Sequence, residues 1–133
     1  MTRNIMTRNA ILVAEYDAES VISLIRDRRE HPFSFCVCID GITHTPKKDS
    51  QRYILFSKNT SCVCCKLVGT TMVLEKYRED ETPHFNLYAT NDEGEKVLMT
   101  KDHIKPKSLG GRSIQENYQT MCLPCNEQKG SKY

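Results

Sequence analysis

The chain has 133 residues, which suits one domain and leaves no room for two sizeable ones. Hydrophobic residues make up 38%, with four Phe, six Tyr and no Trp, so the core is modest and an extra staple would help it. The net charge of +2 is unevenly spread: residues 101–133 carry +3 and residues 1–100 carry −1, a weak pointer to a polyanionic partner at the C-terminal end.

No stretch approaches the roughly 20 apolar residues that span a bilayer, and the first residues lack the apolar centre of a signal peptide. The expectation is an intracellular, cytoplasmic protein with no membrane partner. Seven cysteines cannot all pair within one chain, and a reducing compartment disfavours disulfides, so closely spaced cysteines read first as metal ligands.

In chain order, Ala10–Ala14 is a short apolar run of undecided type. Asp17–Arg29 predicts a helix, with Asp17 as N-cap and Val21, Leu24, Ile25 and Arg28 at helical spacing. Phe33–Ile39 is β-rich and ends at the turn signal Asp40-Gly41, Thr45–Ser50 reads as loop, and Arg52–Phe56 as another strand. A further strand is expected over Thr70–Tyr77. His84–Thr90 and Glu95–Thr100 flank Asn91-Asp92-Glu93-Gly94 as a hairpin. A short helix over Leu123–Lys129 should stop at Gly130 in a left-handed cap.

Cys62-x-x-Cys65 and Cys122-x-x-Cys125 have the spacing of zinc knuckles, in which two thiolates of one tight turn reach a single ion. Four thiolates make a closed, structural zinc site. The 56 residues between the pairs exceed the usual gap of about 15–20, so strands and a second site must be inserted there. Buried, unligated thiols are the simpler alternative. Cys64 competes with its neighbours as a ligand, and Cys36 and Cys38, alternating on a strand, read as ordinary thiols.

Between the knuckles lies Asp102-His103-Ile104-Lys105-Pro106-Lys107-Ser108-Leu109-Gly110-Gly111, followed by Glu116-Asn117-Tyr118-Gln119 and Cys122-Leu123-Pro124-Cys125-Asn126. It sets a carboxylate beside a histidine at a strand end, then a glycine-bearing loop, then a knuckle entering a helix. Oxygen donors such as Asp102 and Asn126 suit Mg²⁺ or Mn²⁺, and a neutral imidazole beside them can take a proton from water near pH 7. Each residue alone has an ordinary reading: an Asp-His pair is common on surfaces, Asn117 suits a turn, and Asn126 suits a helix start. His31, His44 and His84 read as surface histidines.

Taken together, the run from Asp102 to Gly130 resembles the signature of HNH endonucleases, closely over the last 32 or so residues, and the segment around Cys62-x-x-Cys65 resembles the first knuckle of zinc-containing members. The resemblance implies an α+β fold: a small ββα-metal nuclease core with a four-Cys structural zinc over residues 57–133, preceded by an N-terminal helix/strand extension, 1–56, of unknown role. It implies that Asp102 and Asn126 hold a catalytic Mg²⁺ or Mn²⁺, that His103 is the general base, and that Asn117 holds the loop after it. Cys62, Cys65, Cys122 and Cys125 would hold Zn²⁺.

Asn126 stands where many members carry His, so the lettering is H-N-N, which alters the ligand set more than it threatens catalysis. The implied substrate is double-stranded DNA, cut to 5′-phosphate and 3′-hydroxyl ends, with a homodimer expected if both strands are cut. A bacterial or phage-infected cell is the expected setting. Lys105, Lys107, Arg112, Lys129 and Lys132 are candidate contacts to the phosphate backbone. The competing reading is a non-catalytic zinc-stabilised DNA-binding module, which would have no need of an oxygen-lined metal site beside a base.

Overall fold

A computed structural model describes residues 11–23, 37–39, 42–44 and 51–133. The expected elements at Leu24–Arg29 and Phe33–Cys36, the turn at Asp40-Gly41 and the loop at Thr45–Ser50 lie outside the described residues. The undecided run at Ala10–Ala14 falls largely in strand β1 (Ile11–Asp17), which passes straight into helix α1, described over 18–23. Asp17 is its N-cap: Oδ2 accepts the Ser20 amide at 3.3 Å. Two short strands follow, β2 (Val37–Ile39) and β3 (Ile42–His44), paired antiparallel with Ile39 opposite Ile42.

Helix α2 (Gln51–Lys58) replaces the strand expected over Arg52–Phe56. A short apolar run does not by itself distinguish a buried strand from a buried helix. Here Tyr53, Phe56 and Ser57 are buried at i, i+3 and i+4, with Gln51 and Lys58 exposed, so tertiary packing selects the helix.

Strands β4 (Gly69–Lys76), β5 (His84–Thr90), β6 (Lys96–His103) and β7 (Tyr118–Cys122) join β1 in one antiparallel sheet, ordered β1-β4-β5-β6-β7. The β5–β6 hairpin turns at the expected place, where Asn91 Oδ1 accepts the amides of Glu93 (3.0 Å) and Glu95 (2.9 Å). Helix α3 (Leu123–Lys129) closes the chain against β6 and β7.

The sheet is covered on both faces. Met72, Leu74, Phe85, Leu87, Val97 and Met99 pack with Ala18, Val21 and Ile22 of α1 and with Tyr53, Leu55 and Phe56 of α2. On the other face Val73, Tyr88 and Leu98 form a smaller cluster that Leu123 of α3 completes. One core thus takes residues from both sides of position 56.

β5 and β6 pair only at Tyr88–Leu98, Ala89–Val97 and Thr90–Lys96. Beyond Leu98, β6 parts from β5 and pairs with β7 alone, from Met99–Cys122 to His103–Tyr118. The backbone groups of Phe85 are instead met by α2 side chains: Tyr53 Oη accepts its N–H at 2.7 Å and Arg52 Nη2 donates to its carbonyl at 2.6 Å. The rift between the two strands opens beside the C-terminal end of β6.

Candidate active site and metal centre

Cys62 and Cys65 lie on the turn before β4, and Cys122 and Cys125 at the start of α3. Their four sulfurs all lie within 4.8 Å of one another, with Cys65 and Cys122 at 3.7 Å. A tetrahedron with arms of about 2.3 Å has edges of about 3.8 Å, so the cluster is compatible with a structural zinc. The alternative ligand Cys64 is exposed and outside the cluster.

The knuckle is braced by main-chain bonds from Lys66 N–H to Cys62 O (3.0 Å) and from Val63 N–H to Thr120 O (3.0 Å). Burial acts to raise the Cys62 thiol, but hydrogen bonds from the backbone of Cys122, Cys65 and Cys64 outweigh it and bring the pKa down to about 6. Burial pushes Cys122 up to about 11, and Cys125 higher still through burial and the neighbouring sulfurs. One thiolate is favoured among four crowded sulfurs, and a dication is what would let the rest ionise.

One peptide bond beyond Cys125, Asn126 begins a second cluster. A cleft of about 420 Å³ is lined by Lys101, Asp102, His103, Lys107, Asn126 and Lys129, among others. Asp102 is the penultimate residue of β6 and is buried. Its Oδ2 accepts from Gln119 Nε2 (2.9 Å) and pairs with Lys129 Nζ (3.1 Å), and no protein donor meets Oδ1 among the described residues.

The orientation of Asn126 follows from counting hydrogens. Thr100 spends its only hydroxyl hydrogen on Met121 O (2.8 Å), so at Asn126 it can only accept, and Nδ2 donates to it at 2.7 Å. Oδ1 of Asn126 therefore points away from Thr100, again without a protein donor among the described residues.

His103 is half-buried beside Asp102. Its ring meets Tyr118 edge-on at 4.9 Å, and Nε2 lies 3.1 Å from Ser113 Oγ. Burial lowers its pKa, and Lys107, Lys101 and Lys129 add to this against the opposing pull of Asp102, so the neutral ring is favoured.

The loop between β6 and β7 is pinned by Asn117. Its Oδ1 accepts Lys105 N–H (2.9 Å), while Nδ2 donates to the carbonyls of Lys105 (3.1 Å) and Arg112 (2.8 Å). The turn also needs Gly111, where a Cβ would sit 1.7 Å from the Lys105 oxygen. Helix α3 stops at Gly130 as expected, with φ 56° but ψ −129°, a glycine conformation other than the left-handed cap foreseen.

Residues 88–133 match the family model for HNH endonuclease. The C-terminal third of the chain is thus similar to HNH endonucleases. Comparison with curated proteins and with solved structures gives no match. That similarity suggests nuclease chemistry on DNA.

The HNH region spans β6, the pinned loop, β7 and α3, and leaves Cys62 and Cys65 outside its bounds, although their sulfurs meet those of Cys122 and Cys125. Asp102, His103 and Asn126 come together on one cleft, and Asn117 acts on the loop behind it. Of the five candidate phosphate contacts, Lys107 and Lys129 line the cleft, and Lys129 is also tied to Asp102 and to the His103 carbonyl (3.0 Å). Lys105, Arg112 and Lys132 are exposed outside its lining.

Sequence reasoning passed over Ser113, Gln119 and Thr100, each of which fixes one atom of a site residue. Only Gln119 carried a signal, since alternation across a β6–β7 pair sets it opposite Asp102. His84, off the cleft, leans on Tyr77 at 5.2 Å. No helix among the described residues is long and apolar enough to cross a membrane.

Proposed function

We propose that this protein is a metal-dependent DNA endonuclease in which β6, β7 and α3 form a ββα-metal unit within a zinc-stabilised nuclease segment, residues 57–133, that shares its hydrophobic core with the N-terminal part of the chain. One observation carries the reading: two side-chain oxygens, each with its carboxyl or amide partner atom held and itself left free, share a cleft with an imidazole biased to its neutral form. A dry scaffold would satisfy those oxygens.

Asp102 Oδ1 and Asn126 Oδ1 would hold one Mg²⁺ or Mn²⁺, an oxygen-donor set suited to hard cations. Bound there, the ion would stabilise charge on the phosphate and on the leaving 3′-oxygen. With Nε2 committed to Ser113, Nδ1 of His103 takes the proton from the attacking water, giving 5′-phosphate and 3′-hydroxyl ends. Asn117, by pinning Lys105 and Arg112, keeps the loop from crowding the imidazole. Lys107 and Lys129 face the phosphate from the cleft walls, with Lys105, Arg112 and Lys132 contacting the backbone further out. Zn²⁺ on Cys62, Cys65, Cys122 and Cys125 fixes the start of α3 and therefore Asn126. Double-stranded DNA is the substrate, and a homodimer would let both strands be cut.

The test is supercoiled plasmid with purified protein and Mg²⁺ or Mn²⁺, beside EDTA and His103→Ala controls. Nicking or linearisation lost in both controls is expected, and the product form distinguishes a nickase from a double-strand cutter. A folded protein that shifts DNA on a gel but cuts with neither ion would be a zinc-stabilised binding module instead.

A further inference from the structure

The rift where β6 parts from β5 forms a second cleft of about 550 Å³, lined by Arg52, Asn86, Leu98, Thr100, Leu123 and Asn126, among others. It shares Lys101 and Asn126 with the first cleft, so the two adjoin at the proposed metal-binding amide. Arg52 comes from α2, far outside the HNH region. Its guanidinium is held in place by the Phe85 carbonyl at 2.6 Å and lies against the Tyr53 hydroxyl, whose ionisation it helps to oppose burial in setting.

Among the described residues no carboxylate pairs with Arg52. Glu75, a buried acid on this part of the sheet, accepts from Asn86 Nδ2 (2.5 Å) and Tyr88 Oη (2.6 Å), both on Oε1, and forms no ion pair with Arg52. Capping one carbonyl needs only a neutral donor, whereas a half-buried cation without an anion costs desolvation free energy. A fixed guanidinium on a cleft wall, with no carboxylate paired to it among the described residues, is suited to a phosphate, which it can meet with the fork of donors left over.

We propose that Arg52 is a positioning residue that grips a backbone phosphate of the DNA strand next to the one being cut, which brings the N-terminal part of the chain into substrate binding. This rests on the nuclease reading above. A strand lying over the first cleft continues past Asn126 and Lys101 into the second, and Arg52 fixes its register relative to His103.

The test is anisotropy of a labelled DNA duplex in buffer with neither chelator nor added Mg²⁺ or Mn²⁺, which leaves the four-Cys site undisturbed, titrated across salt with wild type, Arg52→Gln and Arg52→Lys, each checked for an unchanged melting curve. Arg52→Gln should weaken binding about three- to tenfold near about 0.15 M salt and flatten the plot of log K against log salt by about one unit. Arg52→Lys should keep the wild-type slope. In cleavage assays the Gln variant should raise KM while kcat stays within about threefold.

A folded Gln variant with wild-type affinity and slope overturns the assignment. If the Gln variant fails to fold, phenylglyoxal labelling of wild type decides: duplex should protect Arg52, and equal labelling with and without DNA overturns the proposal. Wild type that binds duplex but cuts with no metal defeats the nuclease reading alone, with the binding arms still judging Arg52. Wild type that binds no duplex defeats both.

Discussion

The two clusters that meet at the start of α3 use adjacent residues, Cys125 and Asn126, in opposite ways. The sulfur cluster is closed: its four donors face one another, two of them buried, with backbone bonds completing the turn. The oxygen cluster is open. Thr100, Gln119, Lys129 and Ser113 each hold one atom of a cleft-lining residue, whose other polar atom has no protein partner among the described residues. Donors that maintain shape are turned on each other; in the proposed function, the donors available for chemistry are those held from behind and unmet in front by any protein partner among the described residues.

The sharpest way to break this comparison is at the closed end. Cys122→Ser should lose zinc and lower the melting temperature by at least about 10 °C, with cleavage lost as a consequence, because binding energy at a structural zinc is folding energy. Metal analysis and a thermal melt check it, and wild-type values for both would remove Cys122 from the ligand set. His103→Ala at the open end should do the reverse. Turnover should fall about 10²–10⁴-fold with zinc content and melting temperature unchanged, so a variant that still cuts at the wild-type rate strips His103 of its role.

Asn117→Ala sharpens the middle ground between the two ends. It removes three exposed hydrogen bonds to backbone groups of the loop, which water replaces in part, at a cost of about 0.5–1.5 kcal/mol in denaturant unfolding. Turnover should drop about 10–100-fold through a looser imidazole, with KM little changed. A fall in stability with no fall in kcat would make Asn117 a loop brace only.

The readable parts of the sequence were those governed by local chemistry. Asp17 as a cap, Asn91–Gly94 as a turn and the two Cys-x-x-Cys pairs each depend on a few neighbouring residues. Arg52–Phe56 was misread because five mostly apolar residues satisfy either period, and packing of Tyr53 and Phe56 against the sheet made the choice. The cleft's main residues were legible through the Asp102–Asn126 pattern. The atoms that orient them were not, because Ser113, Gln119 and Thr100 become neighbours only once β6 and β7 pair.

The capping of Phe85 has a consequence for solubility. A sheet that splits in its interior exposes strand edges of the kind that recruit extended segments from other chains and seed aggregation. Tyr53 and Arg52 take up both hydrogen-bonding groups of Phe85 at that split. The molecule can therefore keep a gap in its sheet, wide enough for a ligand, without offering a template for strand addition at that residue.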